Sequence, residues 1–288
     1  MFFGYNTNGF AHHRLEDAIE ILAELGFEGV AITLDHHALN PFDPDFAVQL
    51  NDVRSRLRRH RLRCVVETGA RFLLDARRKH QPTLLSPEPH LRQYRLEFLE
   101  RAVYVAERLE ADAVSFWSGT PSDDAPEETL MDRLVGGCRA LCATAEKHNV
   151  RLAFEPEPGM FIDTMDRFAG LLARVDHPHF GVTLDVGHLH CLGEPIAGTI
   201  QRWKPRLWNV HVEDMRRGIH EHLMFGEGEM NFGEVLDALR TADYRGGVFV
   251  ELSRHSHDAV ETARRSLAFL RGVGDRGSEV KEDTNPSE

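Results

Sequence analysis

Arg151-Leu152-Ala153-Phe154-Glu155-Pro156-Glu157-Pro158-Gly159 is the stretch whose reading decides the fold. A short apolar run ends on a carboxylate, and two prolines then stop the run and stiffen its exit. The same design recurs three times downstream. Gly181-Val182-Thr183-Leu184 leads into Asp185, Leu207-Trp208-Asn209-Val210 into His211, and Gly247-Val248-Phe249-Val250 into Glu251. Each run reads as a short, fully buried strand, as in a parallel sheet covered on both faces. If the four strands are neighbours, their ends converge. Three carboxylates and an imidazole in one cavity repel each other unless a divalent cation joins them. Oxygen-rich ligation with one His suits Mn²⁺, Mg²⁺ or Co²⁺, and Zn²⁺ also fits.

Outward from these runs, strand-like and helix-like patterns alternate along the chain. Strands are expected at 2–5, 29–34, 63–67, 112–116, 151–154, 180–184, 207–212 and 246–250. Helices are expected at 13–25, 44–60, 90–109, 127–149, 164–174, 195–203, 231–241 and 256–270. In the first helix Leu15, Ala18, Ile19, Leu22 and Leu25 recur at spacings of three and four, and Gly26 stands in the C-cap position. Asp163 is the expected cap of the fifth helix. Strict alternation implies parallel strands with right-handed crossovers, and eight repeats fit a (β/α)₈ barrel over residues 1–272. The rival, an open doubly wound sheet, lacks its glycine-rich phosphate turn after the first strand. In a barrel the active site lies where strands end and helices begin, which is where the four ionisable residues stand. The longest irregular stretch, 68–89, reads equally as an active-site lid or as a solvated loop. Residues 273–288 read as a polar, disordered tail.

Composition narrows the function. A formal net charge of -12 disfavours a non-specific nucleic-acid binder, which needs cations to displace phosphate counterions. No stretch is apolar for long enough to cross a membrane, and the N-terminus lacks the basic region and cleavage site of an export signal. Four cysteines among 288 residues do not make a disulfide scaffold. Cys138 and Cys142 have no Cys or His partner at zinc-site spacing and read as ordinary thiols. A reducing cytoplasm is the expected compartment.

Each ionisable strand end has a plainer explanation: Glu155 could pair with a base, Asp185 could cap a helix, and His211 could be a satisfied core residue. Glu251 has no basic neighbour before Arg254, so a metal or a raised pKa is expected there. Independent accidents would not fill the ends of four successive strands. Glu157 shares the parity of Glu155, and His188 can curl back over Asp185. Asp214 is the expected hydrogen-bond acceptor for His211.

Leu152–Pro156, Leu184–His188, Val210–Asp214, Phe225–Glu229 with Asn231-Phe232, and Val248–Glu251 resemble the xylose-isomerase-like TIM barrels. That superfamily of sugar-phosphate isomerases and epimerases includes D-tagatose 3-epimerase, hydroxypyruvate isomerase and endonuclease IV. The resemblance implies that Glu155, Asp185, His211 and Glu251 hold one divalent metal. It also implies that His188 and Arg217 contact substrate, and that Glu155 and Glu251 flank the metal. Trp117 would wall the pocket, with Glu157, His222, His36 and Glu67 within reach. The trinuclear site of endonuclease IV looks incomplete, because this chain reads Phe116-Trp117-Ser118-Gly119 and His220-Glu221-His222 where that enzyme has further ligands.

The expected activity is therefore a metal-dependent isomerase or epimerase of a small sugar, keto-sugar or polyol derivative. Glu155 and Glu251 would exchange a proton through an enediolate. The alternative is a metal-dependent hydrolase or lyase, with His220, His222, His36 and His37 available to a second metal. Family barrels often pair, so a homodimer is conceivable, although the sequence does not specify one.

Overall fold

A computed structural model describes residues 1–279. Its elements begin β1 (Phe2–Asn6), α1 (Leu15–Leu25), β2 (Gly29–Thr33), α2 (Phe46–His60), β3 (Arg63–Glu67) and α3 (Pro89–Leu109). The middle of the chain forms β4 (Val114–Phe116), α4 (Glu127–His148), β5 (Leu152–Phe154), α5 (Met165–Val175), β6 (Phe180–Asp185), α6 (Val186–Leu192) and α7 (Ile196–Trp203). The remainder forms β7 (Leu207–Val212), β8 (Asp214–Arg216), β9 (Ile219–Leu223), α8 (Phe232–Thr241), β10 (Gly247–Val250) and α9 (Ala259–Glu279).

Eight strands close into a parallel barrel in the order β1-β10-β7-β6-β5-β4-β3-β2. The fold is a (β/α)₈ TIM barrel. Its expected alternation holds, with two additions between the repeats. The short helix α6 follows β6 directly, and β8 and β9 form a separate antiparallel hairpin after β7. At the C-terminal end, α9 continues through Gly272 to Glu279, so the expected tail boundary falls inside a helix. The rest of that tail lies outside the described residues.

Local chemistry explains the boundaries. In α1, Leu15, Ala18, Ile19 and Leu22 are buried on one face, and Gly26 ends the helix at φ 93°. In α5 the cap is Thr164, whose side chain accepts from the Arg167 N–H at 3.3 Å. Asp163 is not the cap, because Thr164 is the residue with extended backbone immediately before the first helical turn.

Side chains of alternate residues point into the barrel and form layers. At the bottom Phe2, Ala31, Val65 and Phe249 make an apolar plug. Glycine is required beside it: a Cβ on Gly4 would stand 2.3 Å from the Phe249 ring. Above the plug the interior turns polar. The Thr183 hydroxyl donates to Ser115 Oγ at 2.9 Å, and Asn209 Nδ2 donates to Glu67 Oε1 at 3.0 Å. This polar floor lies beneath the ionisable strand ends. Outside the barrel, the far larger apolar cluster packs the strands against the helices.

Candidate active site

Register brings the strand ends together. Asp185 on β6 pairs with His211 on β7, and β7 also pairs with β10, which leads directly into Glu251. Glu155 follows β5, the other neighbour of β6. One ligand atom from each of Glu155, Asp185, His211 and Glu251 lies within 4.8 Å of the others. His211 is the centre of the group. Its Nδ1 lies 3.0 Å from Glu155 Oε1 and 2.9 Å from Glu251 Oε2. Its Nε2 lies 2.9 Å from Glu67 Oε1.

The residues fit a divalent cation. Asp185 Oδ2 is buried and has no hydrogen-bond partner. Its Oδ1 accepts the His188 N–H at 2.9 Å, so Asp185 caps α6 with one oxygen and presents the other. His211 Nδ1 can donate only one proton, yet it faces two carboxylates. Three carboxylates and an imidazole satisfy a cation together far better than they satisfy one another.

Electrostatics record this crowding. Burial, set against the attraction of His211, raises the Glu155 pKa to about 8, and Glu251 and Asp185 push it further the same way. For Glu251, burial also favours the neutral acid, but His211, His222 and the Asn8 hydrogen bond outweigh it and hold the carboxyl well below the usual range. Burial opposes protonation of His211, and the carboxylates of Glu67, Glu155 and Glu251 overcome it. Burial, reinforced by Asp185, raises the Glu213 carboxyl well above the usual range. Both Glu213 oxygens are buried beside Asp185, and the neutral acid that burial favours can donate its proton to that carboxylate.

Glu155, His211 and Glu251 line a cavity of about 360 Å³, with Asp185 buried behind them. Its wall includes Trp117, Glu157, His188, His222 and Glu67, all expected from sequence. Two expected residues are not brought there. Arg217 is exposed at the tip of the β8–β9 hairpin, where its backbone N–H donates to Glu229 Oε2 at 3.2 Å. Gly218, at φ 71°, turns the chain there, and the Arg217 guanidinium lies beside Gly193 at the end of α6. His36 is two-thirds exposed, with Nδ1 3.0 Å from Asp35 Oδ1, and lines a neighbouring depression with His12 and His37.

Asp214 also departs from expectation. Its carboxylate accepts backbone N–H groups of Met215, Gly226 and Met230, so it ties the hairpin to the following loop instead of orienting His211. Glu67 takes that orienting position.

Sequence reasoning missed Asn8, whose Nδ2 donates to Glu251 Oε1 at 2.8 Å. It also missed Arg71 and His80 from the long 68–88 segment, which line the wall together with Lys79 and with His220, the residue expected only as a ligand of a second metal. The second half of that segment packs into the wall, whereas residues 76–79 are exposed. Thr83, Leu84 and Leu85 are buried, and the buried Arg95 guanidinium supports it, donating to the Thr68 carbonyl at 3.2 Å and lying 4.6 Å from the Trp117 ring centre. Strand parity was the available signal for Asn209, Glu67 and Glu213. No local pattern announced the hairpin that carries His220 and His222.

Known proteins share this fold. A D-allulose 3-epimerase from Methylomonas sp. superposes with a TM-score of 0.75 at 20% identity, covering 95% of this chain and 98% of that one. The IolI protein, solved with a bound zinc atom, superposes with a TM-score of 0.77 at 16% identity, covering 96% and 99%. In sequence, the chain is 21% identical to L-ribulose-5-phosphate 3-epimerase of Escherichia coli over 239 residues, covering 82% of this chain and 81% of the relative. It is 24% identical to an uncharacterized protein of Methanocaldococcus jannaschii over 293 residues, covering 97% and 92%. The profile of the xylose isomerase-like TIM barrels matches residues 19–273, nearly the whole barrel, and the chain belongs to that family.

Proposed function

We propose that the protein is a divalent-metal-dependent isomerase or epimerase of a small keto-sugar or polyol derivative. The observation that carries this reading is the convergence of Glu155, Asp185, His211 and Glu251 at the base of a polar cavity. These four would hold a divalent cation, Mn²⁺, Mg²⁺, Co²⁺ or Zn²⁺, which would supply the Lewis acidity that acidifies a C–H between a carbonyl and its neighbouring hydroxyl.

The chain's own groups do the rest. Glu155 and Glu251 approach the cavity from different strands, so each faces the reacting carbon from its own side. One removes the proton and the other returns one, through an enediolate, which gives isomerisation or epimerisation. Asn8 fixes Glu251 Oε1 and thereby the direction of Oε2. Glu157 and His188 offer polar contacts to substrate oxygens, and Trp117 excludes water from one side. Names of the relatives, a D-allulose 3-epimerase and an L-ribulose-5-phosphate 3-epimerase, support the sugar class. Arg71 and Lys79 at the cavity wall would suit a phosphorylated or acidic sugar. Four free, buried cysteines accord with a reducing cytoplasm, and among the described residues no helix is long and apolar enough to cross a membrane.

The test is proton exchange. Candidate ketoses, free and phosphorylated, are incubated in D₂O with Mn²⁺, and deuterium is followed at the carbon beside the carbonyl. Metal-loaded protein that exchanges none of a broad panel would refute the proposal. A second reading, metal-dependent hydrolysis or elimination, is favoured by one observation: a further group of imidazoles, His188, His220 and His222, in the same cavity.

A further inference from the structure

Three strand exits that line the cavity also build a depression of about 440 Å³ beside it. After β1, Asn6 and Asn8 line the cavity, and residues 11–14 line the depression. After β2, Thr33 lines the first, and Asp35, His36 and His37 line the second. After β3, Glu67 and Gly69 belong to the cavity and Phe72 to the depression. Arg71 lines both, so the two hollows meet at one side chain. That guanidinium makes no hydrogen bond or ion pair among the described residues. Its N–H donors call for acceptors that a ligand at the junction would supply.

The depression is aromatic. Phe72 is 46% exposed, and the rings of His36 and His37 meet edge to face with centres 4.7 Å apart. Asp35 Oδ1 accepts from the His36 backbone N–H at 2.7 Å and from its ring Nδ1 at 3.0 Å, which orients that ring. Burial lowers the pKa of His37, with His36 and Arg71 adding and Asp35 opposing, so this ring is neutral at physiological pH. A single exposed phenylalanine means little. One beside a pair of imidazoles, in a hollow continuous with a polar cavity, offers a face on which a flat ring stacks. A second sugar ring would need partners for its hydroxyls, and the one carboxylate lining this hollow, Asp35, is already engaged by His36.

We propose that the depression is a second subsite, which takes an aromatic ring joined to the sugar held in the cavity. The ligand is then a two-part compound, a sugar bearing an aryl substituent, with Arg71 donating to oxygens at the link. Size agrees. Each hollow alone stands near the lower end of the usual range for ligand pockets, about 300–1,000 Å³, and the two joined reach its upper part. The inference rests on the reading of the cavity as a sugar site and narrows the sugar to a substituted one.

The test compares matched glycosides, which lack a free carbonyl and so report binding alone. Phenyl and methyl glycosides of a panel of hexoses and pentoses are titrated calorimetrically into full-length, Mn²⁺-loaded protein. At least one phenyl glycoside is expected to bind about 3- to 10-fold tighter than its methyl partner, the usual worth of an aromatic contact. Phe72→Ala, a change at an exposed side chain, should bring that ratio close to one. Equal binding within every pair, no binding by any phenyl glycoside, or a phenyl advantage that survives Phe72→Ala would overturn the subsite. Deuterium exchange of ketoses without a phenyl advantage would sink only this inference. A phenyl advantage that depends on Phe72, without exchange, would sink only the isomerase reading.

Discussion

Glu67 Oε1 lies 2.9 Å from Nε2 of His211, on the side of the ring opposite Glu155 and Glu251. A carboxylate there fixes the tautomer that leaves Nδ1 facing the ligand cluster, and it raises the basicity of the ring. Asn209 holds the same Glu67 oxygen from below at 3.0 Å.

Glu67→Gln should therefore leave the barrel folded and weaken binding at the proposed metal site by about 10- to 100-fold. Competition with a fluorescent chelator measures this. Unchanged affinity would show that His211 needs no carboxylate behind it.

Glu155→Gln and Glu251→Gln should each lower turnover by at least about 100-fold, the usual contribution of a positioned acid or base. Metal content must be assayed in parallel, because both side chains are proposed ligands. A variant that keeps its metal and loses solvent exchange separates the two roles. A variant that keeps both would exclude that residue from proton transfer.

Gly187→Ala sets helix propensity against a clash. Alanine in a helix gains about 1 kcal/mol over glycine. Its Cβ would stand 2.0 Å from Glu213 Oε1 and 3.1 Å from Asp185 Oδ1, both buried. The clash should win, with a net loss of about 1–3 kcal/mol in urea unfolding and a displaced Asp185. A neutral or stabilising result would mean that Glu213 has room to withdraw.

Added cation should also stabilise the fold. At about one hundred times its Kd, Mn²⁺ should add about 2.7 kcal/mol to unfolding, and chelation should remove it. Thermal melts across a Mn²⁺ titration read this directly. A melting temperature indifferent to Mn²⁺, Co²⁺ and Zn²⁺ would contradict a cation at this site.

His80 offers a pH test away from the proposed ligands. It packs against Trp117 with ring centres 5.0 Å apart, and burial, with Lys79 and Arg95 adding, lowers its pKa from 6.5 to about 4. Between these two values the unfolded or opened chain binds more protons than the native one. Stability of the 68–88 wall should thus fall as pH drops from 6.5 toward 4 and be flat above 6.5. Trp117 fluorescence and amide exchange in this segment should report the change, and His80→Gln should remove it. A wild-type profile matching that of the variant would assign any acid transition to another group.

Much of this was legible in residue order. The apolar runs ending at Glu155, Asp185, His211 and Glu251 showed strands buried on both faces, and their alternation with helices implied a parallel barrel. Asp185 shows why some roles were ambiguous: it caps α6 with one oxygen and leaves the other buried without a partner, so the capping role leaves the proposed ligand role open. Arg217 shows what residue order leaves open. It stands beside a glycine turn whose direction depends on the whole hairpin, and it ends exposed.

The sequence by itself determined the eight alternating barrel strands and the four ionisable residues that converge at their ends, because hydrophobic period and chain breakers are local properties. Only the tertiary structure decided partners. Glu67 and His211 are separated by 144 positions, and Asn8 and Glu251 by 243. Such pairs meet only once the barrel closes, when the first and last strands become neighbours. The same closure folds the β8–β9 hairpin over the cavity and sets three imidazoles beside three carboxylates. Their chemistry belongs to no single segment.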